Sequence, residues 1–85
     1  LLAAAEERLA TWRRAVALSA GAPAGPVLAG VRGRLADDLD SPGAIAVVDA
    51  WAAASLAGEP VGDGAEDEAP RVVRDVVDAL LGIAL

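Results

Sequence analysis

The chain has 85 residues and a formal net charge of −6, with 13 acidic residues against seven basic ones. Cys and His are both absent, which removes thiol nucleophiles, imidazole bases, disulfides and the usual zinc ligands together. At this length roughly 60% of the surface of the unfolded chain is hidden on folding, so the molecule is one small domain at most.

The basic residues are all arginine: Arg8, Arg13, Arg14, Arg32, Arg34, Arg71 and Arg74. A chain this acidic has no basic stripe to displace counterions from phosphates, which argues against nucleic acid as a partner. The hydrophobic fraction is 55%, with Trp12 and Trp51 as the only aromatics, so a core must come from Ala, Leu, Val, Ile and two indoles. No run approaches the ~18 apolar residues of a membrane span, and no leader pattern opens the chain, which makes a soluble, cytoplasmic protein the expectation. Leu1 already sits inside a helical pattern without a capping residue, so the chain reads as a fragment of a longer protein.

In chain order, Leu2, Ala5, Leu9, Trp12, Val16 and Ser19 recur at steps of three and four and predict a first helix over 1–19. Glu6 and Glu7 precede Arg13 and Arg14, the order that suits a helix dipole. The stretch 20–26, with two Pro and two Gly, predicts a loop. A second helix follows over 26–38, with Val27, Leu28, Val31 and Leu35 inward, Leu39 continuing that face, and Arg32 and Arg34 outward. Gly33 in its middle is expected to mark a close helix contact.

Ser41-Pro42 then signals a helix start, with Ser41 as N-cap and Pro42 as the first helical residue. Asp37, Asp38 and Asp40 sit just before it, beside the positive end of the new dipole. The third helix, 42–57, places Ile45, Val48, Ala52 and Leu56 on one side with Trp51 beside them. Only Asp49 and Ser55 interrupt its apolar surface past the first turn, so it should be central, with Gly58 as its C′ stop. Residues 58–69 are rich in Gly, Pro and acid and predict a mobile, solvated loop. Pro70 opens a fourth helix over 70–81, with Val73, Val76, Val77 and Leu80 inward and Ile83 folding back on Val77 past Gly82. The fold class is therefore all-α, a small antiparallel bundle of about four helices in a single domain, 1–85.

Three patterns carry chemistry in principle. Asp38, Asp40, Gly43, Ile45 and Asp49 fall on positions of a calcium loop, but Pro42 occupies a ligand position and the last residue is Asp where Glu belongs. Asp40-Ser41 at a mid-chain helix start resembles the modified serine of acyl carrier proteins, over two residues only; the plain N-cap is preferred. Asp37 and Asp38 are adjacent and diverge on a helix, with no base or nucleophile near them in sequence, so a solvated face is the reading.

The run from Leu35 to Asp49, LADDLDSPGAIAVVD, resembles the helix corner of cysteinyl-tRNA synthetases and their relatives. With Val48-Asp49-Ala50-Trp51-Ala52 and the ending Val72 to Leu85, the closer resemblance is to the C-terminus of the actinobacterial mycothiol ligases. Asp40 stands where synthetases have Asn, and Ser41 where Thr is frequent. Synthetases continue past such an ending to an anticodon-reading region, so this run is expected to close its protein. The acid excess and the absence of Lys further favour the ligase over a tRNA enzyme. The resemblance implies an enzyme that activates cysteine with ATP as an adenylate and joins it to glucosaminyl-inositol. It also implies a zinc-bound cysteine pocket and nucleotide signatures in a Rossmann-like catalytic domain of the same chain. None of those motifs lies in residues 1–85, so no catalytic, cofactor-binding or metal residue transfers to this segment. Its expected role is structural, bracing the catalytic domain. The alternatives are the helical domain of a cysteinyl-tRNA synthetase and an acidic carrier or interaction module.

Overall fold

Short apolar stripes on helices of this length bury themselves only against one another, and that sets the architecture. The computed structural model describes residues 2–37, 40–58 and 66–85, with side chains from Glu6 onward. Among the described residues four helices follow in order: α1 (Leu2–Val16), α2 (Gly25–Ala36), α3 (Ser41–Ala57) and α4 (Ala69–Val76), the last running on as a π-helical turn at Val77–Leu81. Among the described residues there is no strand, only an isolated antiparallel bridge between Gly21 and Glu66. The chain is an all-α bundle. α3 packs against both α1 and α2, as its apolar surface requires, and α4 lies against α1 with a smaller contact to α2.

The core is made of small aliphatic residues around two indoles. Trp12, Val31, Val48, Val73 and Val77 are its largest fully buried side chains, and Ala15, Ala44, Ala52 and Ala69 fill the spaces between helices. Alanine at these positions lets the helices approach closely in a chain without Phe, Tyr or Met.

Several details differ from the sequence expectations. α1 stops at Val16, not Ser19; Leu18 N–H bonds the Ala15 carbonyl at 3.2 Å in a tighter turn, and Ser19 is exposed. The buried partner of Trp12 is Ala15, with Val16 and Leu9 only half-buried. Gly33 has open space where a side chain would start; the close helix contact is at Gly30, where a Cβ would lie 3.0 Å from Val47 Cγ1. Leu56 is 37% exposed, and Ser55 takes the inward place beside it. Leu39 and Asp38 lie outside the described residues, as does 59–65 of the expected loop. Of that loop, Glu66, Asp67 and Glu68 are exposed, and Gly21 and Glu66 exchange both backbone hydrogen bonds, at 3.1 and 2.9 Å.

The two glycine stops are as expected. Gly58 (φ 74°) and Gly82 (φ 69°) adopt the left-handed conformation that ends a helix. Ile83 N–H reaches back to the Val77 carbonyl at 3.3 Å, while the Ile83 side chain lies beside Leu9, Trp12 and Ile45.

Candidate functional site

An indole in a core brings one polar N–H that must find an acceptor. Trp12 on α1 donates Nε1–H to Asp49 Oδ1 on α3 at 2.7 Å. Arg8, one turn earlier on α1, places Nε 3.2 Å from both oxygens of the same carboxylate. The one acid in the middle of α3 thus joins α1 to α3, through a short bond at its inner side and an ion pair at its outer side. The Asp49 side chain is 39% exposed and that of Arg8 47%, so the ion pair is worth only ~0–1 kcal/mol, and the indole bond carries more of the linkage.

Trp51, on the same helix, holds a different strand of the chain. Its Nε1–H donates to the Ala22 carbonyl at 2.7 Å, and Ser55 Oγ, one turn on, accepts from Ala22 N–H at 3.0 Å. Both backbone groups of Ala22 are therefore satisfied by α3. Gly21 gives these contacts their room, since a Cβ there would sit 3.0 Å from Ser55 Oγ and 3.1 Å from Trp51 Cζ2, and both would have to give by a few tenths of an ångström. Glu66, already paired with Gly21, completes the junction: its Oε1 accepts from Ala24 N–H at 3.1 Å, at the N-terminus of α2. Ala24 has no polar side chain with which to cap that helix, and a carboxylate from 42 residues away accepts from its own N–H beside the positive end of the dipole. Among the described residues no buried side-chain polar atom lacks a partner.

At the acid-rich corner the N-cap is Asp40, which corrects the assignment to Ser41. Asp40 Oδ1 accepts from Gly43 N–H at 2.9 Å, so α3 begins at Ser41 and Pro42 is its second residue. The shift by one residue follows from Asp40 being an equally good cap with a formal charge on the dipole, while Pro is tolerated throughout the first turn. The Arg34 carbonyl accepts from Asp40 N–H at 2.9 Å and the Arg34 guanidinium lies 3.6 Å from Asp40 Oδ2. Asp37 N–H closes α2 on Gly33 and Arg34. Asp40 and Asp49, two members of the calcium-loop pattern, are thus held by separate protein partners at the start and the middle of α3, and Asp38 lies outside the described residues. Ser41 is exposed at the first turn of α3, and Arg32 is exposed on α2. Among the described residues no three His, Cys, Asp or Glu are grouped to hold a metal ion. No described helix is long and apolar enough to cross a membrane.

Surface concavities lie between the described helices. One, of about 360 Å³, runs between the start of α2 and the flank of α3, lined by Ala22, Pro23, Pro26, Val27, Val47, Ala50 and Trp51. Another, of about 230 Å³, lies between α1, α3 and the C-terminal residues, lined by Arg8, Leu9, Trp12, Ile45 and Ile83. The first offers apolar shape and no titratable group; the second has the Arg8 guanidinium, already paired with Asp49. The polar groups brought together here fix one element to another. Sequence reasoning missed Ser55 and Glu66 as structural ligands of the 21–24 segment, and the one available signal was a hydroxyl inside an otherwise apolar helix.

No family model matches the chain. Curated relatives of the chain carry the name L-cysteine:1D-myo-inositol 2-amino-2-deoxy-alpha-D-glucopyranoside ligase. The chain is 67% identical to that of Geodermatophilus obscurus over 85 residues, 100% of this chain and 20% of the relative. It is 64% identical to that of a Parafrankia species over 83 residues, 96% of this chain and 19% of the relative. The Streptosporangium roseum protein is 60% identical over 84 residues, 99% of this chain and 20% of the relative. Matched over 96–100% of its length while spanning about one fifth of those proteins, the chain is similar to the C-terminal segment of these ligases.

Proposed function

We propose that residues 1–85 are the C-terminal helical domain of an ATP-dependent ligase that joins L-cysteine to glucosaminyl-inositol, through a cysteinyl-adenylate, in mycothiol biosynthesis. The observation that carries this reading is the 67% identity over the whole chain to a ligase named for those two substrates. The role of the segment is architectural. Its polar side chains cap helices and satisfy indoles, and its acid corner closes the α2–α3 turn, which together suit a rigid support for a catalytic domain.

Zinc and ATP belong to the parent enzyme in this reading. The segment does not fit a zinc site: it has neither Cys nor His, and its described acids form no ligand cluster. No catalytic step is assigned to these residues. Cysteine, glucosaminyl-inositol and ATP would be bound by the remainder of the chain, in the cytoplasm, with no nucleic acid involved. The test is a transfer assay on the parent protein supplied with ATP and labelled cysteine. Cysteine appearing on glucosaminyl-inositol and none on tRNA is the expected result; the reverse overturns the assignment.

A further inference from the structure

The outward surfaces of the helices are not alike. Exposed positions on α1 include Glu6, Glu7, Arg8, Arg13 and Arg14, and those on α4 include Arg71, Arg74 and Asp75. The exposed positions of α3 past its first turn are Ala46, Ala50, Ala53, Leu56 and Ala57, without one charge. A helix apolar on all sides belongs in an interior, yet this one shows a face to solvent. The groove of about 360 Å³ runs along the same flank, and Ala50 borders both. Its walls are Pro23 and Pro26 on one side and Val47 and Trp51 on the other, so it has room for apolar side chains and nothing to hold a charged one. Seventeen residues of helix are about 25 Å long, and the groove lies beside that length.

The relatives state what is available to cover it. They are about five times as long as this chain, which matches their C-terminal segment, so most of the parent precedes Leu1 on the same polypeptide. We propose that the groove and the exposed face of α3 are the surface on which that preceding, catalytic part of the parent docks, through apolar side chains seated between Pro23, Pro26, Val47 and Trp51. This rests on the ligase reading only in taking the longer parent from it. The charged outer faces of α1 and α4 stay in water.

The experiment is carbene footprinting of the full-length parent, read residue by residue, with light scattering on the same sample. Ala46, Ala50, Ala53 and Leu56, which the domain by itself leaves exposed, should label about tenfold more slowly in the native monomer than in denaturant, while Arg13 and Arg14, exposed on α1, should change little. Ala53→Arg, which puts a charge on an exposed helical position, should raise labelling of 46–57 while far-UV circular dichroism stays unchanged. Labelling of Ala46, Ala50, Ala53 and Leu56 in the native monomer as fast as in denaturant would overturn the proposal, as would protection of these positions seen only where light scattering reports a dimer, which assigns the face to a second copy. The cysteine-transfer assay reports separately: a parent that charges tRNA but protects α3 removes the ligase reading and leaves the docking surface, and a ligase with an unprotected α3 does the reverse.

Discussion

Asp40 and Gly43 act as a pair. The Asp40 carboxylate sits over Gly43 N–H, and a Cβ on Gly43 would lie 2.1 Å from Asp40 Oδ2, so an alanine there must expel the cap. Asp40→Ala should lower stability by about 1 kcal/mol, the usual cost of losing a cap, and more than Ser41→Ala does, since Ser41 is the first residue inside the helix. Gly43→Ala should destabilise the wild-type chain, yet stabilise the Asp40→Ala variant. There the clash with the carboxylate is gone, only Arg34 Cδ at 3.0 Å on an exposed, flexible side chain has to give, and alanine has the better helix propensity by ~1 kcal/mol. A double-mutant cycle from urea denaturation followed by tryptophan fluorescence reads this change of sign. Equal effects of Gly43→Ala in both backgrounds would show that the cap geometry is not what requires the glycine.

Between elements, the stabilising links are the indole N–H groups and the polar residues that meet the 21–24 segment. Ser55→Ala leaves Ala22 N–H buried without its acceptor, and should cost about 1–3 kcal/mol although only one oxygen is lost. Glu66→Ala removes the carboxylate from Ala24 N–H and should cost about 1 kcal/mol, with faster amide exchange at the start of α2 than in α3. Exchange that rises evenly through the molecule would mean that Glu66 supports global stability and not that helix end. These links also mark how far the sequence could be read. Helix number, the glycine stops at Gly58 and Gly82, and the inward set Val27, Val31, Val48, Val73 and Val77 follow from periodicity and turn chemistry. The Ser55–Ala22 and Glu66–Ala24 bonds join residues 33 and 42 positions apart, and no local pattern encodes which backbone a distant side chain will meet. The cap at Asp40 was missed for a local reason, two adjacent residues of nearly equal capping strength. Leu56 was misplaced because a helix apolar on every side has no stripe to choose; the buried hydroxyl at Ser55 fixes its rotation instead.

On the scale of the parent enzyme, Arg32 and Arg34 discriminate between a small-molecule ligase and a tRNA enzyme. Both are exposed on α2, and they are the natural phosphate contacts if this domain serves a polyanion. Arg34 is already beside Asp40 at 3.6 Å, with the two side chains 59% and 36% exposed, so its loss should cost the fold little. Asp37 lies one turn from Arg34 on the same corner, and the net charge of −6 leaves a weak field for a phosphate backbone. In the ligase reading, the parent carrying Arg32→Ala and Arg34→Ala should keep its cysteine-dependent ATP turnover with glucosaminyl-inositol within about twofold, the range of ordinary surface substitutions. It should show no salt-dependent tRNA affinity before or after the change. In the synthetase reading, the same double substitution weakens tRNA binding and lowers the slope of log affinity against log salt by about 1 for each phosphate contact removed. A wild-type parent with steep salt-dependent tRNA binding that these substitutions flatten would assign α2 to nucleic acid. The Asp40 cap and the two indole bonds would stand unchanged, because they depend on how the chain folds and not on what its parent joins to cysteine.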